Sequence, residues 1–246
     1  MLQGDGLRAQ LLRGGLGSLF VKAGQALLAF AVAVTLARTL GPEGYGVYSF
    51  ALAILMLTAI PAQVGVPQLV VRETAKAQAN GNYGLIRGLW RWGNLAVALF
   101  SALALAVVGG IVWFTDIGDG ARVATLAFGI ALIPIMALAN VRGACLRGLR
   151  KVVQGQLPES IIRPALLLLL VLVWGAWFVE DELTPQMAMG FYVIAAVLAF
   201  VIGAWLLRRS RPAELGERPA PETPVARSMM ISSGSITPAS SSGSTA

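Results

Sequence analysis

The chain has 246 residues, 57% of them hydrophobic and only 13% charged, with a mean hydropathy of +0.73. An ordinary water-soluble globule, in which roughly a quarter of the residues are charged, is excluded by that balance. The formal charge is +7, there is one cysteine (Cys145) and there is no histidine, so disulfide scaffolds, Cys/His zinc sites and histidine-based acid/base catalysis are excluded as well. No enzymatic activity, cofactor or metal is expected.

Crossing ~30 Å of hydrocarbon takes ~20 residues of helix at its 1.5 Å rise. The uncharged runs therefore predict an all-α membrane protein of six transmembrane helices, at about 17–37, 47–66, 94–114, 122–141, 161–180 and 186–207. Residues 1–16 precede them with Arg8 and Arg13. A cleaved signal peptide is the competing reading of this start, because small residues Ala31 and Ala33 follow the apolar run. Lys22 interrupts that run, however, and five more apolar runs follow, so the first is read as a retained helix.

Helix one is expected to end in the turn Gly41-Pro42-Glu43-Gly44-Tyr45-Gly46. Glycines permit the reversal, Pro42 prevents continuation, Tyr45 and Tyr48 are placed as interfacial anchors, and Arg38 is paired with Glu43. The glycine spacing is not a phosphate cradle, since no strand precedes it. Pro61, Gln63 and Gly65 could loosen helix two, and Pro134 could kink helix four. The connections 68–92 and 142–163 mix basic with apolar residues. They are read either as interfacial helices and helix extensions or as solvated loops held by anionic lipid. Trp90, Trp92, Trp113, Trp174, Trp177 and Trp205 fall near helix ends, where aromatic belts form. Residues 210–246 turn to Pro, Glu and Arg, then to Ser, Gly and Thr, a composition expected to be disordered, and a chain stopping there could be a truncated product.

Charge alternates along the connections. With the N-terminus in the cytoplasm, 16 of the 19 basic residues lie inside, while Glu43, Asp116, Asp119, Glu180, Asp181 and Glu182 lie outside. This satisfies the positive-inside rule and predicts a multi-pass protein of a bacterial inner membrane. Basic charge recurring in every second connection, rather than gathering on one face, argues against a nucleic-acid partner.

A charge inside the bilayer costs at least ~2.5 kcal/mol at a helix centre, so it tends to face a cavity or a partner. Lys22, with Gln25 three residues on along the same face, is the leading candidate for contact with an anionic substrate. A lysine snorkelling to the surface is the alternative. Arg142, Arg147 and Arg163, with Asn140 as a neutral donor, form a second candidate group at the ends of helices four and five. Their alternative role is to set topology against ordinary anionic lipid. Cys145 is read as an incidental small residue.

Three stretches resemble the polysaccharide-transporter branch of the multidrug/oligosaccharidyl-lipid/polysaccharide flippase superfamily. They are KAGQALLAFAVAVTLARTLGPEGYGVYSFALAI, GVPQLVVRETAKA and RGLRKVVQGQLPESIIRPALLLL, spanning positions 22 to about 170. The resemblance implies two six-helix lobes around a cavity, of which this chain supplies one, completed by a second lobe or a second copy of itself. It implies a lipid-linked oligosaccharide as substrate, translocated by alternating access for cell-surface polysaccharide assembly. A cation-coupled small-molecule exporter is the first rival. Such an exporter is expected to hold an intramembrane Asp or Glu, and the interiors of the six expected spans contain none. A non-transporting scaffold for glycan-assembly enzymes is the second.

Overall fold

The computed structural model describes residues 3–61, 65–114, 120–177 and 183–210, and the side chains of 17–61, 65–110, 120–177 and 183–210. The expected disordered tail beyond 210, most of the acidic residues of the expected outer connections, and the Trp113 side chain lie outside the described residues. Those described form helices and turns, with no strand among them. In chain order the elements are α1 Gln3–Ala59, α2 Val66–Ala79, α3 Tyr83–Phe114, α4 Gly120–Gly129, α5 Leu132–Gly148, α6 Val152–Leu157, a π-helical turn Pro158–Ile162, α7 Arg163–Trp177 and α8 Pro185–Ser210. Among the described residues, five stretches are long and apolar enough to cross a membrane: Gly17–Ala59, Tyr83–Gly110, Gly120–Gly148, Val152–Trp177 and Pro185–Ser210. This is a multi-pass membrane protein by helix composition.

The breaks between helical segments fall where the backbone chemistry demands them. Within α1, Gly41 takes φ 68°, ψ 174°, a conformation that is essentially glycine's alone, and Pro42 opens the next arm. Contacts show that the chain folds back there. At one end of the bundle Gly44 faces Pro185, and the Gln186 amide donates to the Ala121 carbonyl (3.4 Å). At the other, Gly17 faces Val153, and Ser210 Oγ donates to Gln154 Oε1 (3.0 Å). Leu55, farther along α1 than Gly44, lies against Gly129 and Met189, inside the bundle from Ala121 and Pro185. The helical interruption between α4 and α5 at Ile130–Ala131 has its cause at Pro134, which has no N–H for the Ile130 carbonyl and whose ring clashes with it.

Two apolar clusters hold these elements together. Leu36, Tyr48, Leu55, Leu126, Leu167, Met189 and Tyr192 belong to one, formed by α1, α4, α7 and α8. Val70, Ile86, Trp90, Val97, Val141 and Leu146 belong to the other, formed by α2, α3 and α5. α5 feeds both, through Leu132 and Ile133 at its start and Ala137 to Leu149 farther on. The outer face is the reverse of a soluble protein's. Phe20, Leu27, Phe30, Leu95, Leu99, Leu169, Leu172, Trp177, Val201 and Trp205 are all exposed, a surface suited to hydrocarbon rather than water.

Several sequence expectations are corrected here. Tyr48 is buried and stacks with Tyr45, ring centroids 6.4 Å apart, so it packs the core instead of anchoring an interface. Trp90 is buried too, its indole Nε1 donating to Thr74 Oγ1 (3.0 Å), whereas Trp92, Trp177 and Trp205 are exposed. Arg38 and Glu43 are both exposed and do not pair, since hydration offsets what such a contact would gain. The 142–163 connection is helical apart from a turn at Leu149–Lys151. Arg142 and Arg147 lie within Gly120–Gly148, and Arg163 lies within Val152–Trp177.

A close helix approach joins α5 to α6, where Gly143 and Gly155 face each other. A Cβ built on either would stand 2.7 Å from the other's carbonyl oxygen. Small residues permit such backbone contact in membranes, and here the obstacle to anything larger is backbone, which cannot swing away. Gly143→Ala is therefore expected to destabilise the bundle by ~1–3 kcal/mol, read as a lowered midpoint of chemical unfolding in mixed micelles. Gly88→Ala, within α3 and with open space around its Cβ position, is expected to leave the midpoint unchanged or raise it slightly.

Candidate functional site

The α5–α6 contact frames a crevice at its edge. Ala139, Arg142 and Gly143 line it from α5, Gly155, Pro158 and Glu159 from α6 and the π-turn, and Phe200 and Gly203 from α8. Its free volume is about 10 Å³, room for about one water and far below the ~300–1,000 Å³ of sites for drug-sized ligands. As shaped here it holds no oligosaccharide.

Pro158 shapes the local backbone. It cannot donate a hydrogen bond, and the helix widens by one residue from Pro158 to Ile162, closing when the Arg163 N–H donates to the Pro158 carbonyl. Single-turn π-helical insertions of this kind occur frequently at functional sites. Here the turn presents Glu159 and Arg163 on one side, with Arg163 Nη1 donating to Glu159 Oε2 at 2.7 Å. Both side chains are largely buried, 16% exposed for Arg163 and 22% for Glu159, and the guanidinium lies 5.4 Å from the Tyr192 ring centroid.

Arg142 is held differently. Its Nη1 donates to the Phe200 carbonyl of α8 at 2.9 Å, and its guanidinium carbon sits 3.4 Å from the Phe200 ring centroid. A cation over an aromatic face and a charge-assisted bond to a carbonyl together stabilise a guanidinium at helix depth. Arg147 is half-buried with its Cγ against Gly155, and Asn140 is half-buried nearby on α5. The second candidate group thus lies around one α5–α6–α8 junction.

Lys22 and Gln25 are placed apart from it. The α1 face that meets the π-turn carries Gly17, Ser18 and Gly24: Ser18 Oγ donates to Gln156 Oε1 (3.2 Å) and Gly24 abuts Ile161. Lys22 and Gln25 are exposed on α1, outside the crevice lining. Glu159 is the residue that sequence reasoning missed. The expected helix five began at 161, whereas the helix that carries that span starts at Val152, so Glu159 lies in the same helix just before the expected span. A signal was present in the i, i+4 spacing of Glu159 and Arg163 beside an unbroken leucine run.

These observations describe a membrane bundle with compensated charges at helix depth. A family profile described as polysaccharide biosynthesis protein matches residues 11–233. The chain belongs to that family. It is a flippase family of the multidrug/oligosaccharidyl-lipid/polysaccharide superfamily, whose members are membrane transporters. No curated protein and no solved structure matches the chain.

Removing one member of a buried pair strands the other's charge. Glu159→Met is expected to cost ~3 kcal/mol of stability, and adding Arg163→Met to recover most of that loss. A thermal unfolding cycle over the two single variants and the double variant in detergent measures this coupling.

Proposed function

We propose that the chain is a six-crossing lobe of a lipid-linked oligosaccharide flippase, translocating its substrate for cell-surface polysaccharide assembly by alternating access, with no covalent step. The observation that carries this reading is family membership over nearly the whole chain, joined to a bundle whose long apolar α1 folds back at Gly41. Five long stretches, one of them doubled, make six crossings. Two such lobes, the second being another chain or another copy, would enclose a cavity near the membrane midplane and rock against each other around it.

The charge pattern supports a cytoplasmic N-terminus in a bacterial inner membrane. Arg72, Lys76, Arg150, Lys151, Arg208 and Arg209 all belong to segments on the side predicted to face inward. On this orientation an anionic lipid headgroup meets the inner basic residues first. It then reaches Arg142, Arg147, Asn140 and Arg163 at the helix junction, while exposed Lys22 and Gln25 on α1 are available to the space between lobes. Charge-assisted bonds from guanidinium groups suit a diphosphate.

A cation-coupled exporter of small molecules is the second reading, and Glu159, in the helix that carries the fifth apolar stretch, is the carboxylate such a device would use. Reconstitution decides between them. Proteoliposomes containing the chain, with its completing lobe where one is supplied, are expected to move a fluorescent polyprenyl-diphosphate sugar across the bilayer. Lys22→Ala is expected to slow that movement several-fold without loss of fold. Failure to move the lipid, together with ion-driven export of a small amphipathic dye, would establish the exporter instead. Undiminished transport by Lys22→Ala would return Lys22 to a snorkelling role.

A further inference from the structure

Arg163 has a partner within the chain, and that partner holds Nη1, one of the donors an anionic substrate would use. We infer that Glu159 is a built-in competitor of the substrate's diphosphate for Arg163, and that one proton taken up by the Glu159 carboxylate hands the guanidinium over. The inference rests on the reading of the substrate as a lipid-linked diphosphate and assigns that site its switch.

Electroneutrality supplies the reason. An uncompensated arginine at helix depth is costly, so a substrate-free lobe must give Arg163 a negative partner, and Glu159 does so at 2.7 Å. A phosphate oxygen makes the same kind of charge-assisted bond as a carboxylate oxygen. Once phosphate arrives, an ionised Glu159 would stand beside it as a like charge in a weakly screened site. Neutralising the carboxylate removes that repulsion and frees the guanidinium in one step. In that step an O–H bond forms on the Glu159 carboxylate as one O–H bond of a hydronium ion breaks and leaves water, the Arg163–Glu159 contact opens, and no other covalent bond changes.

The neighbourhood leaves one candidate for that proton. The π-turn is packed by α1, α6, α7 and α8. From α8, Tyr192 lies under the Arg163 guanidinium, and from α1, buried Tyr48 lies within electrostatic range of it. Lys22 of α1 is exposed, and α6 carries no titratable side chain. Arg142, from α5, lines the crevice that Glu159 also lines. Tyrosine and arginine ordinarily keep their protons throughout the physiological range, so Glu159 is the group here able to gain one. Geometry agrees, because Glu159 is both a wall of the crevice and the partner of Arg163, and Glu159 stands on the π-helical turn that begins at Pro158 and that Arg163 closes.

The test measures binding of a fluorescent polyprenyl diphosphate, and of the matching polyprenyl alcohol, to the full chain in nanodiscs at about pH 5.5 and about pH 8. Wild type is expected to bind the diphosphate about tenfold more tightly at the lower pH. Protonation of the ligand's own phosphate, near pH 6, works in the opposite direction and cannot produce that sign. Glu159→Gln is expected to bind tightly at both pH values, and Glu159→Gln with Arg163→Met to lose the gain. A Glu159→Gln protein that is folded but no tighter than wild type at pH 8, or that keeps the wild-type pH dependence, overturns the inference. Should Glu159→Gln fail to fold, the exchanged pair E159R/R163E keeps an ion pair and is expected to retain acid-favoured binding; pH-independent binding by it overturns the inference equally. If wild type binds the diphosphate no better than the alcohol at either pH, the diphosphate reading itself fails, and the switch with it.

Discussion

Hydrocarbon offers no partner to a peptide N–H or C=O, so every backbone group at membrane depth must be bonded within the protein. Helices satisfy that condition, and interruptions are confined to residues able to tolerate them. Gly41 reverses α1 in a conformation closed to other residues, Pro134 ends α4 by withdrawing a donor, and Pro158 forces the extra residue of the π-turn. Each interruption positions something. The first lets both arms of α1 join one core, the second lets α5 feed two clusters, and the third turns Glu159 and Arg163 toward each other.

The same medium dictates how charge is carried. Arg142 and Arg163 are tolerated within spans because one is bonded to the Phe200 carbonyl and lies over the Phe200 ring, and the other holds Glu159. Both arrangements depend on the Gly143–Gly155 contact, which draws α5 against α6 beside α8. Compensation inside the lobe makes the charges tolerable without a substrate, and it also makes them exchangeable. A transporter of anionic lipid needs a cationic site that is stable when empty and available when the substrate arrives. A paired guanidinium beside a titratable partner meets both requirements.

Much of this was legible in the amino-acid sequence, for definite reasons. Composition and the uncharged runs follow directly from the thickness of the hydrocarbon, and the Gly41-Pro42 turn carries its own chemistry. The span limits near Arg142, Arg147 and Arg163 were not legible, because an uncharged-run criterion treats each charge as an end. What holds Arg142 against the bundle is a carbonyl 58 positions away on α8. Tyr48 and Trp90 illustrate the same limit. Their types suit an interface, yet contacts with Tyr45 and Thr74 draw them into the core. Glu159 was hidden by the reading that began helix five just beyond it.

Flipping by such a lobe requires a bundle in which α1 crosses twice and the Gly44–Pro185 and Lys151–Ser210 ends lie on opposite membrane faces. Three single-cysteine variants, Glu43→Cys, Arg150→Cys and Ser210→Cys, each in a Cys145→Ala background, examine that arrangement most directly when labelled with an impermeant maleimide in intact and permeabilised cells. The Glu43→Cys variant is expected to react in intact cells, and the Arg150→Cys and Ser210→Cys variants only after permeabilisation. Labelling of the Glu43→Cys and Arg150→Cys variants from the same side would contradict the folded-back α1 and the reading of the lobe built on it.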